Sequence, residues 1–141
     1  MSYRNIRAAM IETLRQYCFE NDLRPYLWVS VDDACIVPTD YVQDNMIVFD
    51  VDEEAVREFE LTDEYVSFAA CFDDNEPMHV VVPLNRIAHT GAAEEPMQGP
   101  SFIVSDTPSE LRARILGKTP QTSTQMSSAE EIAPRRPMRI K

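Results

Sequence analysis

Apolar residues follow two different periods along the chain. Between residues 4 and 20 they recur at intervals of three and four, which is the spacing of an amphipathic helix, at Ile6, Met10, Ile11, Leu14, Tyr17 and Cys18. Ser2 is the expected N-cap, and Asn21 and Asp22, ahead of Arg24 and Pro25, are the expected stop. The pattern therefore predicts one N-terminal helix.

From Tyr26 onward the apolar residues form short runs that are rich in Val, Ile, Phe and Tyr and are separated by polar clusters. Successive runs are too close for crossover helices, so the sheet should be mainly antiparallel and curled into a small barrel or sandwich. The predicted strands are 26–31, 35–37, 46–51, 59–61, 65–72 and 78–82, with a short helical turn at 84–88 and a final strand at 101–104.

The composition changes after residue 104. Thr107, Pro108 and Glu110 make a helix start and Gly117 a helix end, which predicts a short helix at 108–116. An isolated helix of this length is marginal in water, so we assign it to a flexible linker at 105–132 that follows a domain at 1–104.

Residues 133–141 contain four cations and no acid, although the chain as a whole carries a formal charge of -11. A basic peptide on a flexible lead is typical of a docking handle for another protein. A frayed end with chance charge is the equally weighted alternative. The pattern alone leaves both interpretations open.

The strongly acidic balance, with a pI of about 4.5, disfavours nucleic acid and anionic membrane surfaces as partners. No apolar run approaches the length of a membrane span, and the N-terminus lacks the layout of a signal peptide. The three cysteines are widely spaced, which favours reduced thiols over disulfides or a thiolate metal site. We therefore expect a soluble, cytoplasmic protein with protein or peptide partners.

Candidate chemistry is sparse. Three glycines are too few for a phosphate-binding loop, and His79 and His89 lack the spacing of a ligand pair. The acids at Asp50 and 52–54 lack the glycine and terminal glutamate of a calcium loop. We predict no catalytic residue, metal or cofactor. Two alternatives stay open: a small hydrolase or deaminase with a spatially assembled site at His79 or His89, and a purely structural dimer with an inert tail.

The order of several short motifs resembles a known family. These motifs are the segment 21–27 (NDLRPYL), the V-P-x-x-Y turn ending at Tyr41, the run 66–72, the V-P-L at 82–84, and the terminal segment 136–141 (RPMRIK). Together they resemble the stringent starvation protein B family, adaptors that deliver ssrA-tagged polypeptides to the ClpXP protease. The resemblance covers residues 3–87 and resumes at the terminus.

The resemblance implies a non-enzymatic adaptor with a β-rich, barrel-like domain. It implies a homodimer formed through the first helix, at Ile6, Met10, Ile11 and Leu14. It implies a groove for an extended ssrA tag at Asp50, Val51, Asp52, Phe68, Ala70 and Phe72. It also implies docking to the N-terminal domain of ClpX through Arg136, Pro137, Met138, Arg139, Ile140 and Lys141.

The sequence departs from this family at two places near the expected groove. Residues 73–76 (DDNE) replace a glycine-rich hairpin, and Asp50 and Asp52 replace less acidic residues. Because an ssrA-type tag itself contains acids, these carboxylates are expected to weaken tag binding by like-charge repulsion if they face the groove.

Overall fold

The computed structural model describes residues 3–72 and 76–118. The chain begins with a helix, continues through six strands and ends its described part with a second helix. The elements are α1 (Ile6–Glu20), β1 (Pro25–Ser30), β2 (Met46–Asp50), β3 (Arg57–Leu61), β4 (Tyr65–Ala70), β5 (Met78–Pro83), β6 (Ile87–Ala92) and α2 (Ser109–Lys118). Short 3₁₀ turns lie at Thr39–Tyr41, Leu84–Arg86 and Pro96–Gln98.

The strands form two three-stranded antiparallel sheets, in the orders β2-β1-β6 and β3-β4-β5. Side chains alternate between the two faces of each strand, and the inner faces share one core. Leu27, Val29 and Phe49 of the first sheet meet Phe68 and Val80 of the second. The predicted fold class, mainly β with an N-terminal helix, is confirmed, and the architecture is a small sandwich.

Helix α1 lies against the sandwich and contributes the buried Ala8 and Ile11 to its core. Two arginines hold it in place. The Nη1 atom of Arg7 donates to the carbonyl of Leu84 at 2.7 Å, and the Nε atom of Arg15 donates to the carbonyl of Val51 at 2.9 Å. The guanidinium of Arg15 also lies 3.8 Å from the centre of the Phe59 ring. One side of α1 therefore packs against the sandwich.

The N-terminus of α1 differs from the sequence prediction. Asn5 is the N-cap, and its side chain accepts a hydrogen bond from the amide of Arg7 at 2.9 Å. The carboxylate of Asp63, in the turn between β3 and β4, accepts from the amides of Arg4 and Asn5. Ser2, the predicted cap, lies outside the described residues. The backbone of the cap residue is therefore held by a residue 58 positions away, which local sequence patterns do not reveal.

Strand β6 was missed by the sequence prediction, which placed only a helical turn at 84–88. The structure has a 3₁₀ turn at Leu84–Arg86 and then a strand that pairs with β1, with one irregularity between Trp28 and Val29. The strand contains Ala, Gly and His, which have little intrinsic strand preference, so tertiary pairing decides its conformation. Two other expected strands, 35–37 and 101–104, are single bridges at Ile36 and Ser101.

Gly99 lets the segment after β6 fold back onto that strand. A methyl group built at Gly99 lies 1.8 Å from the carbonyl oxygen of Thr90 and 2.7 Å from the Cα of Gly91. We expect Gly99→Ala to lower the free energy of unfolding by about 1–3 kcal/mol, since the two backbones must separate. Urea unfolding of the full chain measures this loss.

Gly117 supplies the matched control. A methyl group built there meets nothing within 4 Å, so Gly117→Ala in helix α2 should raise stability slightly, by about 0.5–1 kcal/mol. Equal unfolding midpoints for the two variants would contradict the close approach at Gly99.

Helix α2 overlaps the predicted helix at 108–116 and packs on the outer face of the second sheet. Ile115 is fully buried against Tyr65 and Val81. A short helix is marginal by itself, which favoured a linker here, but packing of Ile115 stabilises the helix. The domain boundary at residue 104 stays a prediction, while the described chain remains attached to the sheet as far as α2.

The segment that leads to α2 is held by a polar network. The Thr107 hydroxyl donates to Asp32 at 2.7 Å, and the guanidinium of Arg86 lies 3.6 Å from the same carboxylate. Burial alone would raise the pKa of Asp32, but the hydrogen bonds from Thr107 and the Ala34 amide and the charge of Arg86 outweigh it and lower this pKa. Asp32 is thus ionised at neutral pH and fastens the start of α2 to the first sheet.

Candidate functional site

Strand β2 has an open edge. It is the outer strand of the first sheet. On its other side Met46 forms a bridge with Gln43, but beyond Met46 no strand within residues 3–72 and 76–118 pairs with that side. Val48, in the middle of β2, is 44% exposed. An edge strand presents unpaired N–H and C=O groups, which an extended peptide can complete by adding a strand.

An aromatic cluster lies beside β2. Phe49 of β2 packs edge-on against Phe68, with ring centres 5.3 Å apart, and reaches Phe72 at 6.3 Å. The ring of Tyr41, in the turn before β2, lies 5.5 Å from that of Phe72. Phe68 is fully buried, whereas Tyr41 is 38% exposed and Phe72 is half-buried. The accessible aromatic surface is therefore formed by Tyr41 and Phe72, with Phe49 and Phe68 behind them.

The structure brings only part of the expected groove together. Phe68 and Ala70 lie on the inner face of β4. Phe72, just after this strand, contacts Phe49, as Phe68 does. Val51 and Phe68 are buried in the core, and Ala70 is nearly so. Asp50 and Asp52 are partly exposed. The groove assignment stays a prediction, and its exposed members are Asp50, Asp52 and Phe72.

Tyr41 and Phe49 were absent from the expected groove. The V-P-x-x-Y motif drew attention to Tyr41, but nothing in the sequence indicated that its turn folds beside Phe72. Phe49 alternates with Val48 and Asp50 along β2, so the period of two already placed it on the inner face. Its partners in β4, however, depend on how the two sheets pack.

The acids at the end of β2 are engaged within the protein. The Nε and Nη2 atoms of Arg24 donate to Oδ2 of Asp50 at 2.9 and 2.5 Å. The Oδ1 atom of Asp50 accepts from the amide of Asp52 at 3.0 Å, and Oδ2 of Asp52 accepts from the amide of Glu54 at 3.3 Å. Both carboxylates thus stabilise the turn after β2, and the hydrogen bond to Asp50 raises the pKa of Arg24. Asp50 is thus ion-paired, and Asp52 is hydrogen-bonded to the backbone.

Helix α1 presents an apolar stripe away from the core. Ile6 is 76% exposed, Met10 37% and Tyr17 45%, and Leu14 is half-buried. These positions follow one another by three or four residues and so share a face. Ile11 was also expected at the dimer interface, but its side chain points into the core and is 1% exposed. The stripe of Ile6, Met10, Leu14 and Tyr17 is not used by the described core.

A groove runs along this stripe. It encloses about 410 Å³ between α1 and the segment that Gly99 holds against β6. Its walls are Ala9, Met10, Thr13, Leu14 and Tyr17 on one side, and Ala92, Glu95, Gln98, Gly99 and Pro100 on the other.

A family model described as stringent starvation protein B matches residues 2–138 of the chain. The chain belongs to the stringent starvation protein B family. No curated protein is similar enough to add a named relative. The motifs that suggested this family lie in residues 3–87 and in the terminal segment. The match runs through the residues between these two parts and includes Arg136, Pro137 and Met138.

In this stringent starvation protein B family member, His89 has structural surroundings. The Nδ1 atom of His89 lies 2.7 Å from the Ser101 hydroxyl, and its Nε2 atom lies 2.6 Å from the carbonyl oxygen of Pro96. With the Nε2–H tautomer, His89 donates to Pro96 and accepts from Ser101. Trp28 packs against the same ring, with ring centres 5.0 Å apart. His89 thus ties the segment 96–101 to β6.

The contact between His89 and Ser101 is also the pairing that a hydrolase requires between base and nucleophile. Such a site needs donors for the developing oxyanion. The amides of Thr90 and Phe102, which flank the pair, already donate to the carbonyls of Pro100 and Ala88. The geometry therefore favours a cross-strand tie over a catalytic pair.

Within residues 3–72 and 76–118, no cluster of His, Cys, Asp and Glu has the geometry to hold a metal ion. In the same ranges, no helix has both the length and the apolar character needed to span a membrane. The expected docking residues, 136–141, and residues 73–75 of the DDNE segment lie outside the described residues.

Proposed function

We propose that this family member is an adaptor that binds ssrA-tagged polypeptides and tethers them to the ClpX unfoldase, which enhances their degradation by ClpXP. The family match over residues 2–138 is the observation that carries this proposal. Adaptor action needs no bond chemistry, which agrees with the structural surroundings of His89.

The tag would bind as an added strand on the open edge of β2. Main-chain hydrogen bonds would supply sequence-independent affinity, and alternate side chains of the tag would point to opposite faces. On the inner side they would meet Tyr41 and Phe72, the accessible part of the aromatic cluster. On the outer side they would meet Val48 and Asp50.

The tether would be the chain that follows α2. Arg136, Pro137, Met138, Arg139, Ile140 and Lys141 would bind the N-terminal domain of ClpX, with the apolar Met138 and Ile140 flanked by cations. Linking two weak contacts through one chain raises the overall affinity by about 10²- to 10⁴-fold when the geometry permits both. Substrate held at β2 would thereby stay close to the unfoldase.

The adaptor would be a homodimer that uses the apolar stripe of α1. Ile6, Met10 and Leu14 keep the role expected from the family, and the groove beside them offers space for side chains of a second copy. Ile11 is assigned to the core instead. A dimer would carry two tag sites and two docking segments, which increases the benefit of tethering.

Delivery is tested by degradation of an ssrA-tagged reporter by ClpXP at a substrate concentration well below saturation. The intact chain should accelerate degradation, and a chain that ends at Ser128 should not. Both chains should bind the isolated tag equally, which separates loss of docking from loss of tag binding. No acceleration by the intact chain would refute the adaptor proposal.

A titration of ClpX with the isolated peptide 133–141 separates this proposal from a structural dimer with an inert tail. The adaptor predicts saturable binding that weakens with added salt, since the segment carries four cations and no acid. A peptide that does not bind ClpX would favour the inert tail.

A further inference from the structure

We propose that Arg24 is a specificity-determining residue of the tag site, which permits acidic tags by neutralising Asp50. The inference rests on the proposed function, because it concerns which peptides the edge of β2 accepts. It addresses the acidic replacements near the groove, which by themselves would disfavour a tag that contains acids.

The pairing of Arg24 with Asp50 is geometrically well defined. Two guanidinium nitrogens, Nε and Nη2, converge on one carboxylate oxygen at 2.9 and 2.5 Å. The backbone of Arg24 is held as well, because its amide donates to Glu94 at 3.1 Å and its carbonyl accepts from the amide of Ala93 at 2.8 Å. The backbone hydrogen bonds therefore fix the position of Arg24 beside Asp50, the last residue of β2.

Asp50 stands where its charge would matter to an added strand. It lies opposite Tyr26 in the ladder between β1 and β2, and its side chain shares the outer face with the exposed Val48. A peptide strand on the open side of β2 would place a side chain about 4.5–5.5 Å from that of Asp50. Like charges directly opposite each other destabilise such a pair.

Arg24 removes this repulsion without closing the edge. The side chains of Arg24 and Asp50 remain 45% and 26% exposed, so the pair is open to solvent and to a ligand. A neighbouring carboxylate of the tag would meet a neutral pair in place of a single negative charge. The carboxylate of Asp52 instead accepts a hydrogen bond from the amide of Glu54.

The test uses three full-length variants, Arg24→Gln, Asp50→Asn and the double variant, with two fluorescent peptides. One is an ssrA-tag peptide, and the other is the same peptide with its acids replaced by the corresponding amides. Arg24→Gln should weaken binding of the acidic peptide about two- to fivefold and leave the amide peptide unchanged. The double variant should restore wild-type binding of the acidic peptide, and salt near 1 M should remove the difference.

Each remaining outcome is decisive. If wild type binds neither peptide, the proposed function fails, and the charge effect fails with it. If wild type binds both peptides but Arg24→Gln weakens them equally, the tag site stands and the specificity role of Arg24 is overturned. Failure of Asp50→Asn to rescue Arg24→Gln would overturn it too, since the unpaired carboxylate would then not be the cause. Because the pair is exposed, all variants should fold, as circular dichroism can verify.

Discussion

Phe68→Ala is expected to lower the free energy of unfolding by about 3–5 kcal/mol, the usual cost of deleting a buried phenylalanine ring. Phe68 has no exposed surface and lies between rings from both sheets, Phe49 at 5.3 Å and Phe59 at 6.4 Å. Removing it would leave a cavity at the junction of β2, β3 and β4. Urea unfolding, followed by circular dichroism, measures the loss.

Phe72→Ala is the matched comparison, because Phe72 is the same residue type, contacts the same Phe49 and is only half-buried. It should cost much less stability and instead weaken binding of the ssrA tag, for which it forms the accessible wall with Tyr41. If Phe68→Ala unfolded like wild type and lost only tag binding, Phe68 would belong to the surface of the site and the burial argument would be wrong.

The pair of phenylalanines illustrates how far the sequence reaches. A period of two places Phe68, Ala70 and Phe72 on one face of an extended chain, and that face is the inner one. Depth is a different property. Phe68 is buried because Phe49 and Phe59 arrive from strands at other positions in the chain, and periodicity within one strand contains no information about them.

The same limit explains the elements that were missed. Strands rich in Val, Ile and Phe were predicted because their side chains favour a pleated, half-buried surface. Strand β6 has no such composition and is a strand because β1 pairs with it, for example at Trp28 and His89. Helix α2 is stabilised by Ile115 and Leu111, which pack against Tyr65 and Val81, and by ion pairs of Arg112 and Arg114 with the body. Both elements depend on partners distant in sequence.

The charges near the site show the limit most clearly. From sequence, Asp50 and Asp52 were interpreted as repulsive to an acidic tag. The structure gives Asp50 a cationic partner 26 positions earlier, and the contact arises because β1 and β2 are neighbours in the first sheet. Net charge is additive along a sequence, whereas the charge that a ligand meets depends on which side chains are paired.

Met10→Asp is expected to convert the proposed homodimer into a monomer, so that the mass measured by light scattering falls from twice 16.1 kDa to 16.1 kDa. Met10 lies in the apolar stripe and lines the groove of about 410 Å³, but it is 37% exposed and is not part of the described core. In a two-fold interface the same patch occurs on both copies, so one substitution buries two carboxylates in apolar surroundings. The helix content should be unchanged.

Leu116→Asp is the matched control, since it also introduces an acid on an exposed apolar position of a helix, at 43% exposure in α2. It should leave the mass at the dimer value. Ile11→Asp would not discriminate, because Ile11 is in the core and its loss would unfold the chain whatever the oligomeric state. A wild-type chain that is monomeric at every concentration would refute the dimer. A dimer that survives Met10→Asp would place the interface on another face, and the stripe of α1 would then need a different partner.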